Sequence, residues 1–364
     1  MTITGTPDVL FEETIRRIQP VDPDLLEGAR ARQRLLTKPE GSLGRLEEVA
    51  NRFAGIFGTL AFPHSKPRIV VFAGDHGVCA EGVNPFPQEV TTQMVLNFVR
   101  GGAAINCLAR TCGVELKVVD VGVIGPLPKI TGLIDRNVAK GTRNFCHGPA
   151  MTHQETLAAL CVGIEMALEA VTDQCDLLGF GEMGIGNSTT ASAVTAALTN
   201  RTVREVVGKG TGADPDCLMR KISAVERALE LHRENLDDPF KLLMSIGGLE
   251  IAAMCGFCLG AAANRRPVLT DGFIATASAA LAVRLQPNVR DYLFAAHTST
   301  EPGHAYLLEL IGQRPLLNLD MRLGEGTGAA LAMKVVQAGA AALMEMATFE
   351  SAGVSSEKDA TPNL

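Results

Sequence analysis

The chain has 364 residues, with 46% hydrophobic and 4% aromatic content, 37 Gly and a net charge of −7. That length exceeds one ordinary core, so a large domain with a smaller attached part is expected. The Ala/Val/Leu/Gly richness suits an α/β protein more than an aromatic-rich β-sandwich. No basic stripe is present to neutralise phosphates along a groove, which argues against a nucleic-acid or acidic-membrane partner.

The start Met1-Thr2-Ile3-Thr4-Gly5 lacks a basic stretch followed by an apolar core. No apolar run is read as reaching the roughly 18–20 residues of a membrane span, so a cytoplasmic protein is expected. The first 60 residues read as helical: 23–36 has helical spacing, and Ser42 is suited to cap a helix over 43–57. A buried strand is predicted over 67–73, helices over 91–101 and 103–111, and a second strand over 116–121. A helix over 152–171 leads into a strand over 176–180, and helices follow over 187–198 and 220–232. The strand 267–270 precedes a helix over 274–285, then come a short strand at 292–295 and an Ala-rich helix over 329–347. Residues 351–364 are polar and expected to be mobile. Short apolar strands alternating with long helices indicate βαβ units and a mostly parallel sheet, whose ligands bind beyond the carboxyl ends of the strands.

Nine cysteines are an odd number for a disulfide scaffold, and Cys255 and Cys258 form a CxxC inside an apolar run. Without an exposed turn or a second pair, they read as small buried hydrophobes on a helix. The seven histidines show no metal-binding spacing, so no metal site is expected.

The polar, Gly-rich segments fall where strands end. Gly324-Glu325-Gly326 sets one carboxylate between two glycines ahead of a helical run, either a presented general base or an ordinary turn. Residues 179–190 follow a strand and open a helix. Gly184 and Gly186 allow close backbone approach there, and Asn187, Ser188 or Thr189 can cap the helix start, which favours an anion such as a phosphate. A capped Gly-rich turn with no ligand is the competing reading. The segment lacks the Lys-Ser/Thr of a Walker loop and the glycine spacing of a dinucleotide fingerprint. A second Gly-rich segment, 207–214, contains Lys209 and Gly210, and either Lys209 or Lys221 on the following helix can supply a counter-charge. The loop 297–304 is dense in hydrogen-bonding groups, Ser299 among them. Asp75, His76 and Asp271 also sit at strand ends, where an Asp is as often a helix cap as a ligand group. No GxSxG elbow or Cys/His pair signals a covalent nucleophile.

Five stretches, 38–47 (KPEGSLGRLE), 73–78 (AGDHGV), 181–189 (GEMGIGNST), 271–273 (DGF) and 321–332 (MRLGEGTGAALA), occur in an order and spacing with a specific likeness. The chain resembles the nicotinate-nucleotide–dimethylbenzimidazole phosphoribosyltransferases over roughly residues 30–345. The resemblance implies transfer of the phosphoribosyl group of nicotinate mononucleotide to 5,6-dimethylbenzimidazole, giving α-ribazole 5′-phosphate and nicotinate with inversion at C1′, for assembly of the cobalamin nucleotide loop. It implies no cofactor, a homodimer, and a three-layer Rossmann-like domain over 60–330 with a small helical domain from 1–59 and 331–364. The family's catalytic base falls on Glu325, its second acidic residue on Glu182 and its lysine on Lys221. With them stand the candidate substrate contacts Gly184, Gly186, Asn187, Ser188, Thr189 and Gly210, and further Asp75, His76, Asp271, Ser299 and Leu323. The segment 81–94 aligns with the family's base-lining region. Some members carry small polar side chains where Phe86 and Met94 fall, which leaves other benzimidazoles, or adenine, open as acceptors. The competing readings are a phosphoribosyltransferase or nucleosidase for a different base, a nucleotide-binding regulatory module, and a dehydrogenase whose glycine fingerprint is missing.

Overall fold

The computed structural model describes residues 6–61, 66–210 and 212–355. The chain forms an α/β fold built on one six-stranded sheet in the order β3-β2-β1-β4-β5-β6. Its strands are β1 (Pro67–Gly74), β2 (Glu115–Gly122), β3 (Leu133–Asp135), β4 (Leu177–Met183), β5 (Val268–Thr270) and β6 (Leu293–Ala295). Every pairing is parallel. This is the doubly wound order, with its reversal between β1 and β4, and ligands of such sheets sit at that crevice.

Residues of β1 are buried along the whole strand, which explains a continuous apolar run in place of alternation. The helix Leu249–Ala263 is buried on every face and packs Phe257 edge-on against Phe72 of β1 and Phe180 of β4, at centroid distances of 5.8 and 6.0 Å. Cys255 and Cys258 lie in this helix as free, fully buried thiols. Its other side meets the helix His153–Thr172 backbone to backbone. A Cβ on Gly163 would collide with the Ala253 carbonyl, and one on Gly256 with the Leu160 carbonyl.

Two compact units divide the chain, residues 1–19 with 66–333 and residues 20–65 with 334–364. The helix Pro7–Arg17 belongs to the larger unit, which corrects the expectation that all of residues 1–59 join the smaller one. Leu10 packs with Leu157, Cys161 and Ile164, and the Tyr292 hydroxyl donates to the Gln19 carbonyl at 2.8 Å. In the smaller unit, Arg32 donates from Nε and Nη2 to the carbonyls of Leu343 and Met344, at 2.7 and 2.9 Å, and so satisfies a helix C-terminus. Ser42 does not cap the next helix, which begins at Arg45. The Glu47 carboxylate instead accepts from the Leu43 amide and from Lys38 Nζ.

Among the described residues one helix, Thr327–Glu345, is long and apolar enough to cross a membrane, with a mean hydropathy of 1.3. This corrects the reading that no run reaches that length. In the fold, 56% of its most apolar window is buried, as in a core helix.

Two glycine substitutions should move stability in opposite directions. Gly256→Ala forces the paired helices apart and should cost about 1–3 kcal/mol. Gly28→Ala, in the helix Pro23–Gln33 with open space around it, should stabilise by up to about 1 kcal/mol. Thermal unfolding of both variants checks the pair.

Candidate active site

Beyond the carboxyl ends of β1, β4, β5 and β6 lies a cavity of about 350 Å³ whose wall includes Glu182, Glu325, Gly186, Ser188, Ser299 and Leu323. The Glu325 turn forms one side of it. Gly324, Glu325 and Gly326 all have left-handed backbones, with φ of +84°, +63° and +87°. For a non-glycine residue that conformation costs on the order of 1 kcal/mol, so it persists only where its surroundings hold it. Two features do so. The turn lies directly on Gly181 of β4, where any Cβ would collide with the carbonyl carbon of Glu325 and the amide of Gly326. Just after β5, Asp271 accepts the Gly326 amide on Oδ2 at 3.0 Å, and the Gly328 and Ala329 amides on Oδ1 at 2.7 and 3.0 Å. Asp271 thus caps the helix Thr327–Glu345 and pins the turn ahead of it. His297 is equally buried, its Nε2 3.7 Å from Asp271 Oδ1.

Glu182 at the end of β4 faces the same turn. A Cβ on Gly324 would run into its Oε1, and Asn187 Nδ2 donates to its Oε2 at 3.1 Å. Both carboxyl residues are only 6% exposed. Burial pushes Glu325 up to about 7, helped by the nearby charge of Asp271. Glu182 is held well above the usual carboxylate range by burial first, then by Asp271, Glu325 and Glu250. Burial also raises Asp271, while His297 and the three amides act in the opposite direction. Oε2 of Glu325 is buried with no hydrogen-bond partner. A carboxyl group in a cavity wall, pushed up to about 7 and with one unpartnered oxygen, can take up a proton.

Opposite this turn, Gly184, Gly186, Asn187 and Ser188 line the cavity where the helix Asn187–Thr199 begins, and Gly210 and Ser299 continue the wall. Lys221 stands immediately behind them, 1% exposed, with Nζ donating to Ser188 Oγ and the Gly208 carbonyl, both at 3.1 Å. Burial lowers its pKa, and Glu301 opposes that shift. Phe86, Val90, Met94 and Leu323 form an apolar side, and Phe86 and Leu323 remain 48% and 56% exposed at the mouth.

Four further candidates lie behind the wall. His76 joins Glu250 Oε1 at 2.7 Å and Thr190 Oγ1 at 2.9 Å, and packs beneath Gly186. Asp75 accepts the Ile124 amide at 2.9 Å, Thr189 is fully buried in its helix, and Asp271 is the cap described above. Thr211 of the second Gly-rich segment is outside the described residues. The wall also includes Asn84, His297, Glu301 and Arg322, which the sequence reading did not single out. Three of them were within reach, since His297 and Glu301 belong to the polar loop after β6 and Arg322 to the motif around Glu325. Among the described residues no cluster of three or more His, Cys, Asp or Glu side chains could hold a metal.

A family model described as phosphoribosyltransferase matches residues 18–354. A protein of Citrifermentans bemidjiense named nicotinate-nucleotide–dimethylbenzimidazole phosphoribosyltransferase is 53% identical over 347 residues, 95% of this chain and 99% of its own. One of the same name from Chloroflexus aggregans is 52% identical over 351 residues, 96% and 99% of the two chains. The chain belongs to this family. A crystal structure of the enzyme of that name from Thermus thermophilus agrees with a TM-score of 0.87 at 48% identity, covering 92% of this chain and 99% of that one. The chain is therefore a phosphoribosyltransferase, a pentosyltransferase by reaction class. Such an enzyme must hold a sugar phosphate and a base together, and this cavity offers an amide-rich helix start at one side and an apolar face at another.

The elevated Glu325 pKa has a consequence for stability. Between its ordinary value of 4.5 and about 7, the folded chain keeps a proton that the unfolded chain has released. The contribution of this group therefore falls as pH rises through that window. Glu325→Gln should gain stability relative to the parent between pH 5 and pH 8, read as a widening difference in urea midpoint. A constant difference would contradict the burial of the charge.

Proposed function

We propose that the cavity transfers the 5-phosphoribosyl group of nicotinate mononucleotide to 5,6-dimethylbenzimidazole. The products are α-ribazole 5′-phosphate and nicotinate, formed with inversion at C1′ as a step in assembling the cobalamin nucleotide loop. The observation that carries this reading is Glu325, a buried carboxyl group titrating near 7 on a turn that opens into the cavity.

The chemistry assigns each side of the site a task. The donor is a pyridinium glycoside, so its C1′–N bond breaks with the electron pair returning to the ring nitrogen, and nicotinate leaves without needing a proton. One benzimidazole nitrogen forms the new bond to C1′ from the opposite face, which inverts the anomeric centre. The proton on the other benzimidazole nitrogen passes to Glu325, so the product nucleotide leaves with a neutral ring. Glu182, whose neutral form burial favours, hydrogen-bonds the ribose. Arrival of the cationic pyridinium favours its ionised form and sets negative charge beside the oxocarbenium-like transition state. The Gly184–Ser188 helix start, Gly210 and Lys221 take the 5′-phosphate, and the face of Phe86, Val90, Met94 and Leu323 takes the planar acceptor. Holding donor and acceptor in line contributes several kcal/mol of the barrier reduction.

Glu325→Gln should reduce kcat/KM by about 100-fold or more, as for loss of a placed general base. In the parent enzyme the rate should rise with pH through about 7, because the protonated carboxyl cannot accept. An acid limb at ordinary carboxylate values, or full activity in the Gln variant, removes Glu325 as the base. A parent enzyme that turns over no benzimidazole or purine acceptor removes this donor and acceptor pair.

A further inference from the structure

Glu301 stands in the loop between β6 and the helix Gly303–Ile311, and its side chain enters the cavity wall on the side of Ser188 and Gly210. Its Oε1 accepts the Gly210 amide at 3.0 Å, and its own amide is held by Ser299 Oγ at 3.3 Å. Its Oε2 is buried without a hydrogen-bond partner and packs so closely on Gly208 that a Cβ there would collide with it. On the other side of Gly210, Lys221 Nζ is 3.3 Å from where a Cβ on that glycine would sit. An anion accepting a backbone amide of a Gly-rich segment, with a buried lysine behind it, has the surroundings a phosphate oxygen needs.

We propose that Glu301 is an internal phosphate mimic that determines how strongly the site prefers phosphorylated ligands. The inference rests on the reading of the Ser188, Gly210 and Lys221 side as the phosphate subsite. In the empty enzyme the Glu301 carboxylate satisfies the Gly210 amide and partly balances Lys221. An arriving 5′-phosphate must displace it, because two anions cannot share one amide at hydrogen-bond distance in a buried site. Part of the phosphate's binding energy is spent on that exchange. A ligand without a phosphate leaves Glu301 in place and incurs no such cost. Donor and product nucleotide carry the same 5′-phosphate, so the exchange weakens both and eases product departure. The half-buried carboxylate, with its Oε2 buried and unpartnered, is costly to the empty state in the absence of such a role.

Isothermal titration of the full chain with nicotinate mononucleotide, and separately with nicotinate riboside, tests this in the parent and in Glu301→Gln. Glutamine keeps the size of the side chain and can still accept the Gly210 amide, but carries no charge. The mononucleotide should bind the variant about tenfold more tightly, while the riboside binds both proteins equally. Lys221→Met should shift mononucleotide affinity in the opposite direction. Weaker mononucleotide binding to Glu301→Gln would make the carboxylate a ligand of the sugar, and unchanged binding would remove the exchange. Either result overturns the proposal and leaves the phosphate subsite standing. A folded parent protein that binds the riboside as tightly as the mononucleotide would remove the phosphate subsite itself and this role with it.

Discussion

Three backbone amides, those of Gly326, Gly328 and Ala329, converge on the carboxylate of Asp271, and the geometry of the site depends on that convergence. It ties the end of β5 to the start of the helix Thr327–Glu345 across the backbone of β4, where Gly181 leaves room for the turn. A left-handed Glu325 is unfavourable by itself. Hydrogen bonds to a charged acceptor contribute on the order of 1.5–3 kcal/mol each, enough to offset that strain and fix the turn. One interaction therefore places the candidate base and, through its charge, adds to the rise in pKa that burial of the base chiefly causes.

The two sides of the cavity use burial in opposite senses. Near the turn, burial favours the neutral forms of Glu182 and Glu325, holding the first well above the usual carboxylate range and pushing the second up to about 7. Near the Gly-rich segments, burial disfavours the charge on Lys221, and Glu301 counteracts it. A cationic pyridinium ring near the carboxyl groups and a phosphate near the lysine are the charges that relieve each side. The donor nucleotide proposed here carries both.

Much of this was legible in the sequence. Continuous apolar runs marked four of the strands, because a parallel strand covered on both faces must be apolar on both. The glycines of these motifs marked two constraints, a neighbouring backbone against Gly181 and Gly184 and a left-handed conformation at Gly186, Gly324 and Gly326. Strand β3 was not legible, for three residues at the edge of a sheet carry little pattern. Nor was the direction in which a strand-end side chain turns. Asp271 and His76 share the sequence context of cavity residues, yet one caps a helix and the other braces the layer beneath Gly186. Lys221 lies in a helix with several exposed charges and is nevertheless buried, because its position faces Ser188 and Gly208. The pairing of the helix Pro7–Arg17 with the larger unit likewise depends on long-range contacts that local periodicity does not encode.

The pH dependence of kcat/KM in Asp271→Asn reads both roles of Asp271, in placing Glu325 and in raising its pKa, in one experiment. Asparagine keeps the shape of the cap and one oxygen acceptor but loses the charge. The expected result is a lower maximal rate from a loosened turn, together with an acid limb displaced below the parent's value near 7. A variant with the parent's pH profile and the parent's rate would show that Asp271 neither positions nor tunes Glu325.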